Sequence, residues 1–120
     1  MIYMISTTDG SGNDKEVLRP TNAVAIVGTQ MTLPCTSRVN NESRWDFYAP
    51  DGTEPVHIYN GNRFSTNIGR RITMDFHSCS FKTCHLTINS VQLDDAGYYV
   101  CFESSSSARK AASLLVLGRL

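Results

Sequence analysis

The 120-residue chain has no long apolar run, no excess of charge of either sign, and nothing that looks like a helix longer than a turn. Each absence removes a class of function. No window approaches the roughly 20 apolar residues that cross a bilayer as a helix, and MIYMIS at the start is too short for the apolar region of a signal peptide. The chain reads as a mature or excised domain behind an added Met1, with any signal peptide, membrane anchor or further domain of the natural protein lying outside it. Lys plus Arg number 11 and so do Asp plus Glu, and no basic run is longer than the pair Arg70, Arg71, so the electrostatic footprint of a nucleic-acid binder is missing. Catalytic signatures are missing as well. There is no GxSxG, no Walker loop and no HExxH, and His57, His77 and His85 make no convincing catalytic set. Neither an enzyme activity nor a cofactor is expected.

What is present is a succession of short apolar runs in a chain long enough for one domain and one core. Residues 7 to 15, TTDGSGNDK, are polar and rich in turn formers, and they read as part of a flexible lead-in over 1–22. From Ala23 onward come AVAIV, QMTLPC, RWDFYA, PVHIYN, RITMDF, CHLTINSV, YYVCFE and ASLLVL, separated by punctuation such as APDGTEP and NGN. Several alternate cleanly. Met31, Leu33 and Cys35 share one face, as do Ile72, Met74 and Phe76, and again Leu86 and Ile88. Strands with one buried and one wet face, at this spacing, predict an all-β sandwich or barrel with antiparallel pairing. QLDDAG, 92 to 97, predicts a short helical turn.

The four cysteines pose a separate question. In HSCSFKTCH, residues 77 to 85, a zinc ion could sit between His77, Cys79, Cys84 and His85, or the two cysteines could form one small disulfide. Zinc is the harder to build, because Cys84 and His85 are adjacent on a strand and adjacent side chains point to opposite faces.

Cys35, Trp45 ten residues later, and DDAGYYVC ending at Cys101 fit one pattern. In these residues the chain resembles the variable-type, or V-set, domains of the immunoglobulin superfamily, over residues 23–117. The resemblance implies an immunoglobulin V-type Greek-key β-sandwich with an inter-sheet disulfide, Cys35 to Cys101, and Trp45 packed against it. In the chain-entropy model such a bridge contributes about 4 kcal/mol. Asp95, Gly97, Tyr99 and Cys101 match DxGxYxC, so Tyr99 is the expected tyrosine-corner residue and Asp95 the expected partner of Arg71, with Arg70 the fallback. Cys79 and Cys84 are then left to each other, in the turn between strands D and E. The pair closes a ring worth about 2 kcal/mol that fixes a hairpin. Strands B to G follow as 30–35, 44–49, 55–60 (C′), 71–76, 84–91, 98–103 and 112–117, with room for a C″ strand near Arg63 to Asn67 and a tail or linker at 118–120. Antigen-receptor domains open strand G with Phe-Gly-x-Gly, whereas ARKAASLLVLG lacks it. The chain therefore resembles a germline-encoded immune-type or adhesion receptor domain, secreted or at the cell surface, and not a rearranged antibody or T-cell-receptor chain.

Strand alternation, with Tyr99, Cys101, Trp45 and Phe47 inward, sends Tyr48, Tyr98, Val100 and Phe102 to the outer face of the GFCC′ sheet, with Arg44 and Asp46 beside them, and PVHIY resembles the family pattern that buries the isoleucine, which implies Ile58 inward and His57 and Tyr59 on the same outer face. Aromatic groups rimmed by polar ones suit an interface centre, so the expected ligand is a protein partner or a second copy of the domain. A structural repeat of a larger ectodomain, or a carbohydrate- or lipid-binding domain, is the alternative. The F–G loop, with Ser105 and Ser106 before Arg109 and Lys110, is a second candidate surface, suited to a carboxylate, a sialylated sugar or an acidic partner. Asn41, Glu42 and Ser43 form an N-glycosylation sequon in the B–C loop.

Overall fold

The structure, a computed structural model, describes residues 7–8, 18–52, 54–61 and 71–118. Ten strands are defined among them: β1 (Thr7–Thr8), β2 (Leu18–Arg19), β3 (Ala23–Ile26), β4 (Met31–Leu33), β5 (Ser43–Tyr48), β6 (Val56–Tyr59), β7 (Ile72–Met74), β8 (Leu86–Ile88), β9 (Gly97–Glu103) and β10 (Arg109–Leu117). A five-stranded sheet runs β3-β10-β9-β5-β6 and a three-stranded sheet runs β4-β8-β7. All contacts within them are antiparallel except β3 against β10, which is parallel. The pair β1–β2 lies inside the stretch read as a lead-in. The expected C″ strand and the fallback Arg70 lie outside the described residues.

Period-2 patterning builds the core. Met31, Leu33, Ile72, Leu86 and Ile88 of the smaller sheet face Trp45, Tyr99, Cys101, Ala112 and Leu114 of the larger one, all of them buried. Cys35 and Cys101 are bonded across the gap with Cα atoms 6.5 Å apart, as an all-β V-type sandwich requires. The alternate residues of the smaller sheet, Thr32, Thr87 and Thr73, stand in register on its outer face, and the hydroxyls of Thr32 and Thr87 lie 2.9 Å apart. A threonine row satisfies β propensity while keeping that face polar.

The turn QLDDAG becomes a single 3-10 turn at Leu93–Asp95. Arg71 donates from Nη2 to Asp95 Oδ1 at 2.7 Å, and the other carboxylate oxygen accepts from Gln92 N at 2.7 Å. The Tyr99 hydroxyl donates to the Asp95 carbonyl at 2.7 Å, and burial together with the nearby Asp95 charge pushes its pKa upward. Gly97 sits at φ +150°, where a Cβ would run into the Tyr48 carbonyl oxygen, so the glycine between Asp95 and Tyr99 is a packing requirement.

HSCSFKTCH departs from the hairpin expected of it. Strand β7 stops at Met74, and Asp75 caps one helical turn, α1 (Phe76–Cys79), by accepting from His77 N and Ser78 N. Phe76 is therefore not the third inward residue of a strand. It is half-exposed on α1, with its ring 5.9 Å from that of Tyr59. Cys79 and Cys84 are bonded to each other and both are buried within the core. Around Cys84 the backbone is fully engaged: its N–H donates to the Cys35 carbonyl at 2.9 Å, and its carbonyl accepts from Trp45 Nε1 at 2.7 Å. His85 Nδ1 accepts from Cys35 N at 2.9 Å, which fixes the neutral ring with its proton on Nε2. His77 is exposed, edge-on to Phe81 at 5.2 Å. Among the described residues no three His, Cys, Asp or Glu side chains come together as a metal site would need.

Two outcomes follow from this corner. Because the Cys79–Cys84 sulfurs lie in the core, replacing both residues by Ala is expected to lower the urea-unfolding free energy by about 2 kcal/mol or more. Replacement by Ser should cost more than Ala, since it leaves hydroxyls in an apolar site; equal values for the two double variants would place the bridge at the surface. The second outcome concerns acid. Desolvation holds the His85 pKa below its ordinary 6.5, so the neutral ring is the folded form and its contribution is complete above that pH and lost as pH falls below it. His85→Gln keeps an acceptor for Cys35 N without titrating, and should flatten the decline in urea midpoint between about pH 7 and about pH 5. Asp75 and Glu42 have pKa values lowered by hydrogen bonds from Ser78 and Ser105, so their losses come at lower pH.

Candidate functional site

The outer face of the five-stranded sheet can be read off its registers. One row crosses Arg109, Phe102 and Arg44; the next crosses Ala111, Val100, Asp46 and His57; the third crosses Ser113, Tyr98 and Tyr48. Beyond the end of β9 the face continues on β10 and β3 alone, with Leu115 beside Val24 and Leu117 beside Ile26. The inward set, Ala112, Leu114, Val116 and Ala25, is buried.

Of the residues expected on this face, Tyr98 and His57 are exposed, and Tyr48 and Phe102 are half-buried. Tyr59 and Val100 are corrections. The β5–β6 register shifts between Trp45 and Asp46, so Ile58 and Tyr59 both turn inward, and Tyr59 packs toward Phe76 with its hydroxyl 3.4 Å from the Gly61 carbonyl. Val100 does point outward, but its short side chain lies between taller Tyr98 and Phe102 and opposite Asp46, which leaves it 8% exposed. Asp46 is likewise buried, its Oδ1 accepting from His57 Nδ1 at 2.8 Å. The apolar part of the face is displaced toward β10 and β3, onto Leu115, Leu117, Val24 and Ile26. The signal for this was the unbroken run SLLVL, apolar on both strand faces.

The loop end is held together by two glutamates that sequence reasoning missed. Glu42 accepts from Ser104 N through its carbonyl and from Ser105 N through Oε1, both at 2.9 Å. Glu103 Oε2 accepts from Arg38 N at 2.9 Å. These contacts tie the F–G loop to the B–C loop, so Ser105 and Ser106 form a fixed turn, closed by Ser106 N donating to the Glu103 carbonyl at 3.0 Å. The Arg109 guanidinium carbon sits 3.7 Å from the Phe102 ring centroid, and Lys110 Nζ donates to the Thr36 carbonyl at 3.1 Å. Asn41 is exposed at φ +60°, whereas its sequon partner Ser43 is buried with no hydrogen bond to its hydroxyl.

The Ig kappa chain V region 3368 of the rabbit, Oryctolagus cuniculus, is 29% identical over 90 residues, covering 73% of this chain and 78% of that relative. A family model described as the immunoglobulin V-set domain matches residues 19–117, the span that builds both sheets, and the chain belongs to that family.

Proposed function

We propose that the domain is an extracellular recognition module that holds a protein partner against the outer face of its five-stranded sheet. V-set domains are typically binding modules outside the cell and generally not enzymes. The reading particular to this chain rests on one contrast. The smaller sheet shows solvent a threonine row, while the larger shows Tyr98 (50% exposed), Leu115 (56%), Leu117 (47%), Val24 (47%) and Ile26 (43%) in register. Contiguous apolar groups of this kind mark interaction surfaces, and Arg44 and His57 supply polar groups beside them. The centre is the β9–β10–β3 part of the sheet, not β5–β6.

A second copy of the domain is the partner to test first. In sedimentation velocity the wild type should shift toward dimer with concentration, and Tyr98→Arg and Leu115→Arg should stay monomeric. A wild type that remains monomeric ends the self-pairing form of the reading. A cell-surface protein screen whose hits bind Leu115→Arg as well as wild type ends the rest of it.

The germline-encoded reading is supported by strand β10, which pairs with β9 and β3 over Arg109–Leu117 without a register shift and without a Phe-Gly-x-Gly bulge. The similar rabbit protein is an antibody kappa V region, and at 29% identity the likeness speaks for a shared fold more than a shared role.

Asn41 is proposed as a glycan carrier. Exposure leaves room for the sugar, but Ser43 is 1% exposed, so an enzyme reading the triplet must act before strand β5 is in place. Secretion from eukaryotic cells should add a glycan mass that Asn41→Gln abolishes, whereas the folded domain presented to the same machinery should gain none.

A further inference from the structure

Among the described residues, strand β3 has β10 on one side and no strand on the other. Alternation sorts its main-chain groups. Val27 N donates to the Leu117 carbonyl at 2.9 Å, and the parallel register with β10 turns the groups of Ala23 and Ala25 the same way. Those of Val24 and Ile26 point to the open edge. Ile26 has only its N–H to give there, because its carbonyl already accepts from Thr29 N at 3.0 Å and from Thr29 Oγ1 at 2.7 Å. Val24 keeps both its N–H and its carbonyl. Folded proteins blunt such edges with charge, proline or a bulge. The edge strand of the smaller sheet, β4, runs into Pro34, whereas Ala23–Ile26 carries no proline and no charge and pairs with β10 without a register shift.

The groups left at this edge are complementary to themselves. With Val24 opposite the partner's Val24 in an antiparallel pair, each N–H meets the other's carbonyl, and each Ile26 N–H meets the carbonyl of the other Asn22. Sliding the pair by two residues sets Val24 N–H against the occupied Ile26 carbonyl, so the Thr29 contacts select the register. We propose that two copies of the domain join edge to edge through β3, fusing their five-stranded sheets into one. Opposed side chains of an antiparallel pair lie on one face, so Leu115 and Val24 of both copies form a single apolar row across the two-fold axis. A protein partner held against the flank would then rest on both copies; that consequence depends on the sheet-face reading, and the edge pairing does not. Strand β3 spans about 13 Å, so the contact lies far below the roughly 800 Å² per partner of a stable pair. The edge pair is therefore weak, with a dissociation constant on the order of 1 mM, above the range in which face-to-face pairing is read.

Cysteine trapping captures a pair this weak. Opposed Cα atoms about 5.5 Å apart suit a disulfide, so Val24→Cys in a buffer of oxidised glutathione should give covalent dimer at least about tenfold faster than the exposed Ser105→Cys, and should still do so with Tyr98→Arg added. Translational diffusion at about 1 mM gives the second readout. Wild type should diffuse more slowly there than in dilute solution, and Val24→Pro should abolish the difference, since an edge strand tolerates proline where its N–H faces outward. Val24→Lys covers the case in which the proline variant does not fold, because it sets like charges opposite each other across the axis. Trapping no faster than that of Ser105→Cys, trapping lost on adding Tyr98→Arg, or slow diffusion that persists in Val24→Lys overturns the proposal. Trapping that depends on Tyr98 leaves the sheet-face reading standing alone. Trapping that survives Tyr98→Arg, in a domain for which the cell-surface screen finds no ligand, keeps the edge and loses the face.

Discussion

The hydrogen bond from the Trp45 indole to the Cys84 carbonyl is the contact on which the corner of the sandwich depends. A fully buried indole N–H needs an acceptor, and here the acceptor comes from the turn that carries the second disulfide. Cys84 N then donates to the Cys35 carbonyl, and Cys35 is bonded to Cys101. The two bridges thus form one connected unit running from β9 through the end of β4 to α1. The small ring is buried support for the tryptophan as well as a clamp on a turn, and His85, reaching back to Cys35 N, closes the same unit from its other side.

Much of this was legible in the residues. Period-2 alternation located the strands, and Cys35, Trp45 and DxGxYxC identified the sandwich and its corner, because those residues answer to local geometry or to a spacing that hardly varies. What escaped depends on neighbours distant in the chain. Tyr59 turned inward because of a register shift between Trp45 and Asp46, which no pattern in PVHIY announces. Phe76 left its strand because Asp75 could cap a helical turn, a competition between alternation and capping that the sequence leaves even. Burial of Val100 depends on the height of side chains beside it. The loop end was harder still, since Glu42 with Ser105, and Glu103 with Arg38, meet across more than half the chain.

The two sheets also divide their tasks. Threonines on β4, β8 and β7 keep one outer surface wet, while the parallel pairing of β3 with β10 extends the other surface beyond the end of β9 and places four aliphatic side chains there. Parallel pairing is what brings Val24 and Ile26 beside Leu115 and Leu117. The same four residues on separated elements would be scattered apolar groups of no consequence.

Strand β10 gives these surfaces a fixed relation. It runs nine residues without a bulge, carrying Arg109 at one end and Leu115 and Leu117 near the other. Six residues of extended chain put Arg109 and Leu115 about 20 Å apart on the same side. That makes the strand a ruler: the spacing between the tip and the flank is set by backbone and not by a flexible loop. The F–G loop end and the apolar flank therefore keep one fixed orientation to each other, held by a single uninterrupted strand.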